Sequence, residues 1–412
     1  LTENAAYPAA AASLMALVFV LLKPSSRWGW GALAFAALAA WARLQLGVLV
    51  PIVFVALLAA AALEGRDGWR ARLARDRWLV GVTGVITLVG AIAVLADSSL
   101  LGFYGTVSDS LSLSGVPGAA GKELLAFIAM TGFVPFLLVL AVSVERDAWR
   151  DRDLRALLLV VWIATAGFIL VTGLTLPRLE GVTWSIQRYV EYSLPVLFVA
   201  AIAGPLRVRI SLLPMAIVTV VVSAAFLLQP DIFNIQEQRA LYGITHRIGE
   251  PLGLSGAVSL AIVCFLCGAV LTALVWARDQ ERVSGRALLT GALIATGVVF
   301  VIQDQAAWSW QRVQASGWRK NFPAKLDWID RAAPAPVARL VGAVNPYRNA
   351  VTDYFNDHVT QVYLPEGQQV PGPSIQGKTC TWKLSSTGEP QFAAGCGPSP
   401  RVFLFNDDQA KF

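Results

Sequence analysis

Between residues 8 and 303 the chain runs as long apolar stretches almost free of charge, separated by short arginine-rich loops, and after residue 303 that pattern stops. This feature constrains the fold more than any other. A hydrocarbon core about 30 Å thick takes ~20 mostly apolar residues per crossing helix. The stretches fall at roughly 8–22, 29–42, 46–63, 79–96, 124–144, 156–175, 190–206, 211–228, 255–277 and 287–303. Composition agrees: 56% of residues are hydrophobic and 15% charged, against roughly 45–50% and 25% in soluble domains. The expected fold is an α-helical polytopic membrane protein of about ten transmembrane helices, followed by a small C-terminal α/β domain in water. The domain division is 1–303 for the membrane part, 304–335 for a Trp- and Arg-rich connector, and 336–412 for the α/β module.

Loop charge sets a direction. Lys23 and Arg27, then Arg66, Arg70, Arg72, Arg75 and Arg77, then Arg146, Arg150, Arg152 and Arg155, then Arg207 and Arg209, then Arg278, Arg282 and Arg286 make sixteen basic residues in five alternating loops. The opposite loops hold six: Arg43, Lys122, Arg178, Arg188, Arg239 and Arg247. Basic residues near span ends favour the cytoplasmic side, so residue 1 and residues 304–412 are expected outside a plasma (inner) membrane. The stretch 29–42 is short enough for a re-entrant segment, but without its crossing the loop at 66–77 faces outward. The charge bias therefore has it cross. Trp28, Trp30, Trp69, Trp78, Trp149, Trp276 and Trp308 sit at expected span ends, where indoles favour the interface, and Trp162 alone sits deep within one. A pI near 9.3 then reflects orientation signals lying on anionic lipid, and nucleic acid is not an expected partner.

Cys264 and Cys267 form a C-x-x-C inside an apolar helix with no ligand nearby, which reads as packing. Cys380 and Cys396 lie in the external part, flanked by strand-like runs at Thr379–Leu384 and Arg401–Phe405, and are expected to form a disulfide. Strands are also expected over Val337–Val344 and Val359–Leu364, with a short helix around 348–357. The connector, with Trp308, Trp310, Trp318 and Trp328, reads as an interfacial segment on the outer leaflet, with an aromatic surface for stacking on sugar rings as the alternative. His358 stands alone, and this module shows no nucleophile–base pair or metal cluster.

Ionisable residues in a membrane protein are costly without a partner or a wet cavity, so they mark sites. The notable ones here gather at the outer ends of the expected helices. Glu3, Asn4 and Tyr7 precede Pro8, with Glu3 and Tyr7 four apart, on one face of a helix. Arg43 and Gln45 lie between two apolar stretches with almost no loop; an arginine there needs an anion, and its planar fork suits phosphate. Arg188, Tyr189, Glu191 and Tyr192 lead into the next apolar run and offer a cation, an acid and two phenols. Each group has a plainer reading as a helix cap, a snorkelling arginine or an aromatic belt. A weaker candidate is the loop 229–254, with Gln236, Glu237, Arg239, Tyr242, His246 and Arg247.

The layout and the segments LTENAAYP, WARLQ and QRYVEYSLP resemble the GT-C superfamily of polytopic membrane glycosyltransferases. The likeness is nearest to actinobacterial proteins related to the protein mannosyltransferase and aminoarabinose-transferase group, and it covers most of 1–303. It implies transfer of a sugar from a polyprenyl-phosphate carrier to a cell-envelope glycan, lipid or protein acceptor at the outer membrane face. In such enzymes a carboxylate in the first external loop takes the proton of the attacking hydroxyl, and basic residues stabilise the leaving phosphate. That loop is expected upstream of Leu1, so the catalytic base is not named, and the chain as given is expected to be inactive. Arg43 and Arg188 are the candidates for phosphate contacts, with Glu3, Asn4, Tyr7, Gln45, Tyr189, Glu191 and Tyr192 lining the site. No cofactor is implied, and a divalent metal is left open. Two other classes stay in view: a secondary transporter, and a non-catalytic membrane scaffold whose external module binds cell-wall polymer.

Overall fold

The computed structural model describes residues 2–23, 26–96, 116–175, 190–228, 243–321, 330–331, 337–341, 359–365, 378–384, 390–392 and 402–405. The chain divides into two compact units, Leu1–Trp308 and Ser309–Phe412.

Every apolar stretch of the first unit is helical. The helices are α1 (Thr2–Leu22), α2 (Ser26–Ala42), α3 (Leu49–Ala62), α4 (Gly65–Arg75), α5 (Arg77–Ala96), α6 (Val116–Met130) and α7 (Val134–Val144). They continue with α8 (Arg146–Arg150), α9 (Arg152–Thr175), α10 (Leu194–Arg207), α11 (Leu212–Leu227), α12 (Gly256–Asp279) and α13 (Gly285–Asn321). Single turns of tighter helix at Leu44–Val48 and Glu191–Ser193 lead into α3 and α10. Among the described residues four helices are long and apolar enough to cross a membrane, namely α1, α9, α12 and α13, or up to six if each of two bent pairs counts as one span. The outward faces carry Trp41, Trp78, Leu213, Val221 and Leu228, each more than half exposed. Apolar surface on that scale, in a chain with helices long and apolar enough to cross a membrane, fits a lipid environment better than water.

Burying one helix against another gains little where lipid tails are as apolar as leucine, so close approach through small residues holds the bundle together. α1 and α2 pack on each other and bury small residues, Ala6, Ala9, Ala10, Ala32, Ala36 and Ala39. Ser13 Oγ donates to the Ala32 carbonyl across them at 2.8 Å. Glycines serve the same end elsewhere: a Cβ at Gly268 of α12 would collide with Thr219 of α11, and one at Gly167 of α9 would stand 2.8 Å from Ile52 Cγ1 of α3. Buried hydroxyls such as Thr83, Thr172 and Thr219 bond back to carbonyls four residues earlier, which satisfies them within their own helix. Trp162, the one indole deep in an apolar run, donates to Ser143 Oγ at 2.8 Å and meets the Phe136 ring edge-on at 5.7 Å.

The stretch 124–144, expected as one span, is not one continuous helix. It is two helices, α6 and α7, bent by 111° at a break of three residues. Gly132 and Phe133 both hold positive φ, 70° and 63°, which ends α6, and Pro135 sits in the first turn of α7, where its missing N–H costs nothing. Gln303 of α13, buried, donates from Nε2 to the Ala129 carbonyl at 2.8 Å. The reason is local chemistry that hydropathy does not register. A Thr-Gly-Phe-Val-Pro run carries a helix stop and start in residues as apolar as the flanking helices.

Charged side chains tie helix ends together. Arg72, buried on α4, bonds to Glu64 and lies 3.8 Å from Asp76. Arg207 at the end of α10 reaches Asp151 at 3.1 Å and Asp153 at 2.9 Å. Partial burial pushes the Asp151 carboxyl up, but the Leu154 amide and the Arg207 guanidinium outweigh it and hold the group below its ordinary range.

The second unit contains a five-stranded sheet in the order β4-β3-β2-β1-β5, with β1 Val337–Val341, β2 Val359–Pro365, β3 Lys378–Leu384, β4 Pro390–Phe392 and β5 Val402–Phe405. The pairs β1/β2, β1/β5 and β2/β3 are parallel and β3/β4 is antiparallel. Parallel neighbours need crossover connections; those segments, including the helix expected around 348–357, lie outside the described residues. Cys380, buried on β3, is disulfide-bonded, whereas Cys264 and Cys267 are buried free thiols. Cys396, the expected partner of Cys380, lies outside the described residues. So do His358 and Trp328. Trp308, Trp310 and Trp318 fall on α13, which continues as helix to Asn321.

Candidate functional site

Three segments far apart in the chain meet at one end of the helix bundle. They are the first turns of α1, the turn joining α2 to α3, and the turn that opens α10. Tyr192 stands at the centre. It follows Glu191 in a single tight turn, before Pro195 in the first turn of α10, and its ring is almost fully buried. Ser193 fastens the same turn by donating from Oγ to the Val190 carbonyl at 2.8 Å.

Two rings flank Tyr192. Tyr7 of α1 approaches at 5.6 Å between centroids, tilted by 38°, and Phe168 of α9 at 5.8 Å, tilted by 36°. Both separations fall within the range of favourable aromatic pairs. Tyr7 donates its hydroxyl to the Glu191 carbonyl at 3.4 Å, and its own ring is 37% exposed. Arg43 follows α2 in extended backbone, φ −154° and ψ 107°, which carries its side chain out of the helix direction. Its Nη1 donates to the Tyr192 hydroxyl at 3.4 Å. Arg43 and Glu191 are both half-buried.

The arrangement has a clear chemical character. A guanidinium, a buried phenol and a more open phenol share one patch, with a carboxylate on the same turn. The Arg43–Tyr192 contact is long for a hydrogen bond, about 0.4 Å beyond the usual mode, so a stronger acceptor can replace the phenol. A phosphate oxygen is such an acceptor, because bonds between guanidinium and anionic oxygen are shorter and roughly twice as strong as neutral ones. The phenol faces and hydroxyls offer stacking and polar contacts to a neighbouring sugar.

Of the residues expected from sequence, Tyr7, Arg43, Glu191 and Tyr192 converge here. Glu3 and Asn4 lie in the first turn of α1 and Gln45 in the turn before α3, but their side chains lie outside what is described. Arg188 and Tyr189 lie outside the described residues, as do Gln236, Glu237, Arg239 and Tyr242. His246 and Arg247 belong to a wide helical turn, Thr245–Gly249, a form often found at functional sites; their side chains are likewise outside the description. Among the described residues no group of three His, Cys, Asp or Glu side chains is placed to hold a metal ion.

Sequence reasoning passed over two residues. Phe168 completes the aromatic stack and looks in sequence like any apolar residue of α9. Glu123 of α6 is fully buried, and neither carboxyl oxygen has a hydrogen-bond partner. A signal for it existed: Glu123 shares a helical face with Ala126, Phe127 and Met130, so a helix that buries that face buries the carboxyl too.

No protein-family model, no curated protein and no solved structure matches the chain.

Proposed function

We propose that the protein is a membrane glycosyltransferase that moves a sugar from a polyprenyl-phosphate carrier to a cell-envelope glycan, lipid or protein acceptor at the outer membrane face. In this reading all ten apolar stretches lie within the membrane, and the C-terminal sheet belongs to an extracytoplasmic α/β module. One observation supports it above the others: Tyr7, Arg43 and Tyr192, from segments far apart in the chain, make one cationic, aromatic patch at the end of the bundle that loop charge assigns to the outside. Arg43, with Arg188 beside the same turn in sequence, takes the carrier phosphate and stabilises it as charge grows on the departing oxygen. Tyr7, Tyr192 and Glu191 line the sugar side.

The test is sugar transfer from a polyprenyl-phosphate donor by the full-length protein in lipid. Arg188→Ala and Arg43→Ala are expected to abolish transfer without loss of expression. Transfer at the unaltered rate by both variants would remove the assignment. Secondary transport is a second reading that one observation favours: α6 and α7 form a broken helix beside the buried carboxyl of Glu123, and transporters place ionisable groups at interrupted helices. Substrate-dependent ion flux in sealed vesicles, with no transfer activity, would decide for it.

A further inference from the structure

Glu123 lies on α6, which packs against α9 and receives the Gln303 amide from α13 near its C-terminal end. Its side chain is completely buried, and both carboxyl oxygens lack a partner. Among the described residues, the charged groups on the elements packed against it are few. On α6 its chain neighbour is Lys122, half-buried. The ionisable residues of α9 are Arg152, Asp153 and Arg155 in its first turn, with none from there to Thr175. The segment Val134–Val144 of α7 has none, and on α13 the neighbour of Gln303 is Asp304, which is exposed.

An ionised carboxylate cannot stay in such a place. Removing the charge from water is far too costly without a counter-ion, and the group neutralises instead. A bound metal cation needs several oxygen ligands at once, and no acidic cluster accompanies Glu123 among the described residues. A proton needs one oxygen. The helix carrying Glu123 also ends at Gly132 and Phe133, where positive φ and a 111° bend separate it from α7. A break of this kind lets one helix move without unwinding the next.

We propose that Glu123 is a proton-binding site of the helical unit: a neutral carboxylic acid at rest, which releases its proton when α6 moves away from α9 about the break at residues 131–133. The inference stands on burial, missing partners and backbone geometry, and it holds whether the protein transfers sugar or transports.

The experiment uses the full chain in lipid nanodiscs and the apolar reagent dicyclohexylcarbodiimide, which reacts with protonated carboxyls. The acid proton passes to a carbodiimide nitrogen, a carboxylate oxygen bonds to the central carbon, and acyl migration to nitrogen leaves a stable N-acylurea with no leaving group. Mass spectrometry of the 116–130 peptide is expected to find the adduct on Glu123, declining as pH rises and absent in Glu123→Gln. Infrared difference spectra between low and high pH are expected to show a protonated-carboxyl band that Glu123→Gln lacks. Hydrogen exchange of residues 116–133 is expected to rise with pH in the wild type and not in Glu123→Gln. A missing adduct together with a missing infrared band would show an ionised Glu123 and overturn the proposal. Protection from the reagent by sodium ion at constant pH would mean a metal-cation site and overturn it too. Equal exchange in both proteins at every pH would overturn the movement of α6.

Discussion

Replacing Tyr192 separates the hydroxyl from the ring in the patch it forms with Tyr7 and Arg43. Tyr192→Phe removes only the acceptor of the Arg43 bond, which at 3.4 Å is long and part-buried. A hydrogen bond from a charged donor contributes roughly 1.5–3 kcal/mol in good geometry and a neutral one about 0.5–1.5, so this contact is expected near the low end, about 1 kcal/mol. Tyr192→Leu also removes the ring that meets Tyr7 at 5.6 Å and Phe168 at 5.8 Å. Each aromatic pair contributes about 0.5–1.5 kcal/mol beyond burial, and the ring is 3% exposed, so the loss is expected to reach about 3 kcal/mol. Unfolding of the purified protein in mixed micelles by added denaturing detergent, read by circular dichroism, gives both values. A double-mutant cycle with Arg43→Gln is expected to return a coupling of about 1 kcal/mol for the Arg43–Tyr192 pair. A coupling of zero, or a Tyr192→Phe variant as unstable as Tyr192→Leu, would refute the geometry described for the patch.

Three further outcomes follow from the helix packing and the ion pairs. Gly268→Leu places side-chain atoms where Thr219 already stands and is expected to cost about 1–3 kcal/mol, read in the same unfolding assay, with Gly268→Ala milder. Glu64→Ala takes the carboxylate partner from the buried guanidinium of Arg72 and is expected to be destabilising by about 1–3 kcal/mol, whereas Arg72→Ala with Glu64→Ala in the same chain recovers part of the loss. The Asp151 carboxyl is held below its ordinary value of 3.8. Its bond to Arg207 therefore contributes stability above about pH 4 that fades as pH falls through the lowered value. Asp151→Asn is expected to lower the melting temperature at neutral pH and to lose its effect in acid, and a difference that grows in acid would reverse the sign.

The helical architecture was legible because the long apolar runs before residue 303 are all helix, although the last of them continues past its expected end to Asn321. The break in α6/α7 was not legible from hydropathy, because Thr131, Gly132, Phe133 and Pro135 keep the run apolar while changing its direction. Turn grammar carried the information instead, with a glycine stop and a proline two to three residues on. The patch was legible in part. Arg43, Tyr7, Glu191 and Tyr192 stand out as polar residues at the ends of apolar runs, where polarity needs a reason. That they touch one another was not legible, since nothing in sequence spacing relates residue 7 to residue 192. Phe168 was invisible because its role is shape. Glu123 was overlooked because it borders the apolar run from Leu124, where a carboxylate looks like a loop residue until the neighbouring helices close over it. The sheet strands were marked by β-branched and aromatic runs, but their parallel order depends on crossovers that local pattern does not encode.

The central claim, that the Tyr7–Arg43–Tyr192 patch receives a lipid-linked phosphate, is tested most directly by photo-crosslinking. A polyprenyl phosphate with a photoreactive group next to the phosphate is illuminated with the full-length protein in nanodiscs, and the labelled peptides are mapped. Label on the segments around Tyr7, Arg43 and Tyr192, competed by unlabelled polyprenyl phosphate and lost in Arg43→Ala, is the predicted result. Competed label confined to α6 and α7, with the three segments unmarked and Arg43→Ala without effect, would contradict it.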